Sequence, residues 1–106
     1  MIATVYAVFP SREEAERIAR MVVDEGLAAC ANILGPCRSV YRWQGELEVA
    51  DEIPVLLKTT EALGEALIAR IATLHPYDVP AAVLWPIGAV HQPYAEWVEA
   101  SVTAIG

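Results

Sequence analysis

Ile2 to Phe9 (IATVYAVF) is apolar on both of its alternating faces apart from Thr4. A strand of that kind has no side to leave in water, which makes it an inner strand and requires the rest of the chain to build a sheet around it. With 106 residues in all, there is material for one compact domain, residues 1–106, and for one core. Pro10 ends the strand, and Ser11 with Glu14 three residues later forms a capping box in which the Ser hydroxyl accepts from an orphan amide and Glu14 reaches back to the N-cap amide. Ala15, Ile18, Ala19 and Val22 then fall on one helical face, Glu13–Arg17 and Glu16–Arg20 are spaced for i,i+4 pairs, and Gly26 suits a left-handed C-cap.

Leu27 to Leu34 (LAACANIL) reads as a small-residue strand, Gly35-Pro36 as a break, and Arg38 to Trp43 as a renewed strand on which Ser39, Tyr41 and Trp43 share a face. Gln44-Gly45 turns the chain, with Gly45 needed for positive φ. Glu46 to Thr59 runs back as the second arm of a long hairpin with a charged tip and an apolar base (Val55, Leu56, Leu57). Pro54 cannot donate to a ladder and predicts a bulge or a change of strand partner. Leu63, Leu67, Ile71 and Leu74 mark a second helix that ends by His75, because Pro76 disfavours α conformation before it. Ala81 to Ile87 is a short apolar strand, which Pro86 places at an edge. A last helix follows Pro93, with Tyr94, Trp97, Val98, Ser101, Val102 and Ile105 along one stripe. The order βαββαβ plus a terminal helix predicts an α+β, ferredoxin-like fold: one antiparallel sheet with helices on one face and a long hairpin between the second and third strands.

The other sheet face is then bare. An apolar fraction of 56% and a mean hydropathy of +0.38 are high for so small a domain, and together with the free strand edges they predict association of copies through the sheet. A net charge of −7 repels phosphate backbones and anionic lipids, so nucleic acid and membrane surfaces are not expected partners. No apolar run approaches the roughly 20 residues of a membrane span and no basic stretch leads into a signal core, so the expected location is the cytoplasm, with a mature chain starting near Met1. Cys30 and Cys37 are too few for a disulfide framework and too far apart for a Cys-x-x-Cys knuckle.

Four stretches carry a family resemblance: Leu27-Ala-Ala-Cys30-Ala-Asn32-Ile33, Ser39-Val-Tyr41-Arg42-Trp43-Gln-Gly45, Leu57-Lys58-Thr59 and His75-Pro76-Tyr77-Asp78-Val79-Pro80. In this order and spacing they resemble the CutA family of divalent-cation tolerance proteins. The resemblance implies a ferredoxin-like protomer, a stable homotrimer with strand pairing between subunits, and a role in bacterial tolerance of copper and other metals. It also implies that the motifs of Cys30 and His75 lie near one another, which spacing cannot establish.

Cys30 offers a soft thiolate suited to a thiophilic ion such as Cu(I), and among Ala28, Ala29 and Ala31 it reads equally as a small buried hydrophobe. His75 offers an imidazole co-ligand or a cap on the second helix. Cys37 and His91 are isolated candidates. Glu46, Glu48, Asp51 and Glu52 lack the regular spacing of a calcium loop and read as a solvated strand face or a hard-cation site. Tyr41, Trp43, Tyr77 and Trp85 read as core and subunit interface or as a cleft with Lys58 as its polar anchor for a small anionic metabolite. Trp43 and Gly45 are the expected trimer-contact residues at the hairpin turn. No phosphate loop, nucleophile elbow or His-Glu-x-x-His motif is present, so the chain is not expected to be an enzyme and no cofactor is obligatory; copper or another divalent or thiophilic ion is the candidate ligand. Three readings follow: a metal-responsive binding protein, a trimeric signalling module with a metabolite cleft, and a structural trimer.

Overall fold

The structure is a computed structural model that describes residues 1–102. Its elements are β1 (Ile2–Phe9), α1 (Arg12–Asp24), β2 (Cys30–Ile33), β3 (Cys37–Trp43), β4 (Glu46–Thr60), α2 (Glu61–Leu74), β5 (Ala82–Pro86) and α3 (Gln92–Ser101). Lateral order in the sheet is β2-β4-β1-β5, and β3 pairs with the far half of β4. Since β1 and β2 are both antiparallel to β4, and β4 and β5 are both antiparallel to β1, the chain contains two interleaved split βαβ units, the ferredoxin-like arrangement. β1 is the inner strand its composition requires, and β5, with Pro86, is an edge.

The starts of α1 and α2 are capped by hydroxyls. Ser11 Oγ accepts from the Glu14 amide at 3.2 Å, and Thr60 Oγ1 accepts from the Leu63 amide at 3.3 Å. The Glu14 carboxylate, however, turns away from the N-cap amide to take two hydrogen bonds from Arg17, at 2.6 and 3.1 Å. Two charge-assisted hydrogen bonds to one carboxylate oxygen, Oε2, outcompete a single neutral amide donor there. The α1 C-terminus is a Schellman motif: Gly26 sits at φ +77, its amide donates to Val23 O, and the Leu27 amide donates to Val22 O. This exit occupies Leu27 to Ala29, so β2 begins only at Cys30, later than the sequence pattern predicts.

Alternation along the strands sorts the two sheet faces. Val5, Ala7, Phe9, Val55 and Leu57 pair on one face and are buried with Ile18 and Val22 of α1 and Leu67 and Ile71 of α2. Gly64 lets α2 approach β5 closely, since a Cβ there would run into Leu84 Cδ1. The opposite face carries Ile2, Thr4, Tyr6 and Val8 of β1. α3 closes one end of it, with Ala95 and Val98 packed on Ile2 and Ala29, so the terminal helix lies across the sheet from the other two. Ile105 of the proposed stripe lies outside the described residues. The rest of this face is open.

At Pro54 the sequence expectation resolves into a change of partner. β1 pairs without interruption from Ile2↔Thr60 to Phe9↔Ile53. On the other edge β4 passes from β2, ending at Ile33↔Val55, to β3, starting at Cys37↔Glu52. Pro54 falls in that gap, where the missing N–H costs no ladder bond, while its carbonyl accepts from the Leu34 amide. Beyond it the β3–β4 hairpin projects and lengthens the molecule to 44 × 28 × 22 Å.

Candidate functional site

The hairpin leaves a cleft between itself and the α2–β5 connection, over the open face of β1. Gln44 (φ 50) and Gly45 (φ +83) form a two-residue turn with both φ values positive, which fixes the register of the arms. That register puts Ser39, Tyr41 and Trp43 on the same side as Ala50, Glu48 and Glu46, with Cys37 opposite Glu52. The basic residues of β3 alternate onto the other side, where Arg38 bridges Asp51 at 3.1 Å. The cleft, about 620 Å³, has Tyr6 and Val8 on its floor, the aromatic side of the hairpin as one wall and Pro76 to Val79 as the other. That volume is of metabolite size.

Glu52 is the buried polar group of the cleft, at 6% exposure. Its Oε2 accepts from the Tyr77 hydroxyl at 2.9 Å. Burial, that hydrogen bond and the charge of Glu52 push the Tyr77 phenol up to about 12, so Tyr77 is a neutral donor across the physiological range. Oε1 has no protein partner among the described residues, and since no fully buried side-chain oxygen there lacks one it retains some exposure, on a residue that lines the cleft. Tyr6 stacks on Trp85, with centroids 5.0 Å apart; its phenol is raised by burial, with smaller contributions from Cys37 and Glu52.

His75 holds the second wall in place. Its Nδ1 accepts from the Tyr77 amide at 3.1 Å, which leaves Nε2–H to donate to Val8 O at 2.7 Å. The ring is buried and lies 4.8 Å from both Phe9 and Tyr77. Both nitrogens are therefore committed, and the imidazole serves the backbone rather than a metal. Cys30 is elsewhere. It pairs with Lys58, itself opposite Thr4, and its thiol meets the Tyr94 hydroxyl at 3.3 Å under α3. His75 binds Val8, four residues further along β1 and two strands away, so within one protomer the two motifs stand roughly 15 Å apart at ~3.3 Å per residue and ~4.8 Å per strand. The expected pairing of Cys30 with His75 is not what this protomer forms.

The expected cleft needs two corrections. Tyr41, Trp43 and Tyr77 do converge, but Lys58 is six residues down β4 from Glu52, roughly 20 Å at ~3.3 Å per residue, and is absent from the lining. Trp85 stands behind Tyr6 rather than in the wall. The charged side chains of the lining are Glu52 and Asp78, so the polar anchor is acidic. Glu52 was legible only as part of a charged tip; Pro54 signals a bulge or a change of strand partner but not that Glu52, two residues before it, is buried by the change. Cys37 lies beside Ser39, Sγ to Oγ 3.7 Å, and His91 is the exposed N-cap of α3 with no side-chain cap bond. Among the described residues no three His, Cys, Asp or Glu side chains converge as a metal cage would require.

Comparison with known proteins gives the following. The family model described as CutA1 divalent ion tolerance protein matches residues 3–101. A divalent-cation tolerance protein CutA of Pyrococcus horikoshii is 43% identical over 94 residues, 89% of this chain and 91% of its own length. The structure of the divalent cation tolerance protein of Thermus thermophilus superposes with a TM-score of 0.93 at 40% identity, covering 97% of this chain and all of that one. The structure of CutA1 from Oryza sativa gives a TM-score of 0.92 at 35% identity over 96% of this chain and 94% of its own.

Proposed function

Because the chain belongs to the CutA1 divalent ion tolerance family, we propose that it serves tolerance of divalent ions, copper among them, as a homotrimeric binding protein whose working site is the Tyr41–Tyr77 cleft. The observation that carries this reading is the meeting of two distant stretches, Ser39 to Trp43 and Pro76 to Val79, around the buried carboxylate of Glu52. Binding rather than turnover is favoured because the chemistry-bearing groups are already engaged: His75 at both nitrogens, Cys30 with a hydroxyl of Tyr94. The trimer is supported by the exposed rings of Trp43 and Trp85 and by Val40, Leu47 and Val49 on the projecting hairpin, an apolar extent that a solitary small domain rarely leaves in water.

Complementation tests it. In cells lacking their own copy and grown under excess copper, the parent chain and Cys30→Ser should restore growth, whereas Glu52→Gln and Tyr41→Leu should not. Loss of protection by Cys30→Ser with protection retained in both cleft variants would return the site to the thiol.

A further inference from the structure

Of the two histidines in the chain, His91 is exposed before α3 and His75 is buried at the end of α2. Two bonds of opposite sense hold the His75 ring. Val8 O can only accept, so Nε2 carries the proton of the 2.7 Å contact, and the Tyr77 amide can only donate, so Nδ1 is the bare lone pair at 3.1 Å. One neutral tautomer satisfies both. A second proton would sit on Nδ1 and point at the Tyr77 N–H, leaving two donors facing each other with no acceptor between them. Among the described residues the stretch from Pro76 to Pro80 makes two hydrogen bonds, Tyr77 amide to His75 and Tyr77 hydroxyl to Glu52. The connection between α2 and β5 is thus tethered to the body of the protein through this imidazole and that carboxylate.

We propose that His75 is an acid-sensitive latch: a proton taken at Nδ1 breaks the bond to the Tyr77 amide and frees the connection, and with it the Tyr77–Glu52 bond to the base of the hairpin. The groups around the ring do little to compensate the charge that proton brings. β1 presents Val8 O and the stacked face of Phe9; that ring favours a cation but cannot separate two facing N–H groups. α1 presents Arg17, which donates to Leu74 O one residue before His75 and is paired with Glu14. β4 presents Glu52, whose bond goes to the Tyr77 hydroxyl. Asp78 follows in the connection, and the last turn of α2 carries no basic residue. No carboxylate pairs with the imidazole among the described residues. The closed form accepts only the neutral ring, whereas the released ring takes a proton from water, so the closed form is favoured as pH rises and is lost as pH falls. Every contact of the latch lies within one chain, so it does not depend on which faces the copies cover.

Nitrogen-15 NMR of the assembled protein tests this from about pH 8 to about pH 5, the span in which histidine titrates. The two rings are told apart by the set of signals lost in His91→Gln. At the alkaline end the His75 ring should show Nε2 protonated and Nδ1 bare, with the Tyr77 amide protected from solvent exchange. As His75 takes its second proton, the Tyr77 amide signal should move in step with the ring. Its protection, corrected for the intrinsic pH dependence of exchange, should fall by about tenfold or more. His91→Gln should leave both changes in place. His75→Gln, which keeps a donor for Val8 O and cannot titrate, should abolish the pH step at Tyr77. A Tyr77 amide that stays protected while the His75 ring is doubly protonated overturns the latch, as does a ring that stays neutral throughout the span. A Tyr77 step that survives His75→Gln also overturns it and passes the response to Glu52 or Asp78. If His75→Gln does not fold, the parent titration decides alone, because ring and amide are read in the same sample.

Discussion

Tyr77 and Glu52 form one unit, because the buried carboxylate orders the phenol and the phenol stays protonated beside it. The Tyr77 phenol sits at about 12 through burial first and then through Glu52, above the ordinary 10.0. A folded-state pKa raised in this way contributes stability that is complete below pH 10 and is lost as pH rises toward 12. Phenolate absorbance during alkaline titration should therefore show Tyr77 among the late tyrosines, together with Tyr94, which burial and Cys30 hold at about 12. In Glu52→Gln the Tyr77 step should move partway back toward 10 and the Tyr94 step should stay; an unshifted Tyr77 step would mean that burial alone sets it. The hairpin turn gives a second prediction. Gln44 holds φ 50 and Gly45 φ +83, and left-handed backbone costs an ordinary residue ~1–2 kcal/mol while Asn tolerates it. Gln44→Asn should stabilise the fold by a few tenths to about 1 kcal/mol and Gly45→Ala should destabilise it by about 1 kcal/mol or more, read from denaturant midpoints at unchanged m. The positive φ at Gly45 was legible in the sequence; the same demand on Gln44 was not, since no residue type announces it.

Between elements, the Arg70–Glu25 pair ties α2 to the C-cap of α1 by two hydrogen bonds, at 2.9 and 2.7 Å. The Arg70 hydrogen bonds hold the Glu25 carboxyl below its usual 4.5. The folded-state pKa is depressed, so the stabilisation is present above about pH 4.5 and is lost as pH falls through the lower folded value. Thermal unfolding of Glu25→Gln against the parent should accordingly show a melting difference at neutral pH that shrinks progressively below pH 4.5; a difference constant with pH would assign the clamp to geometry rather than charge. Sequence spacing proposed only pairs within α1, and it placed Arg17 with Glu13. The structure pairs Arg17 with Glu14 instead, and the pair joining the two helices spans 45 positions, a separation that periodicity on one helix cannot register. The start and stop of α1 and the stop of α2 were readable, because Ser11, Gly26 and Pro76 act on backbone groups within a few positions, whereas the Thr60 cap of α2 came only from the structure.

For the whole molecule, the proposed trimer makes Trp43, 44% exposed in the protomer, the residue to remove. Trp43→Ala should shift sedimentation toward smaller species on dilution while the protomer's far-ultraviolet circular dichroism is kept; an unchanged profile over a wide dilution range would take Trp43 out of the subunit contact. The element order, the inner position of Ile2–Phe9, the edge position of the Ala81 to Ile87 stretch and the caps of α1 at Ser11 and Gly26 were determined by the sequence alone, since each follows from period-two or helical apolar patterning and from backbone chemistry local to a few residues. Family membership was also legible there, through four motifs spread along the chain. Only the tertiary structure decided what those motifs do together. It commits both nitrogens of His75 to Val8 and Tyr77, sets Cys30 under Tyr94, moves Lys58 out of the cleft and buries Glu52 within it. The physical reason is strand register: β4 serves β1 throughout its inner half and changes partner from β2 to β3 across Pro54. In strands a shift of one residue exchanges the faces, and which side chains share a face across strands distant in sequence is a property of the paired sheet, not of any segment.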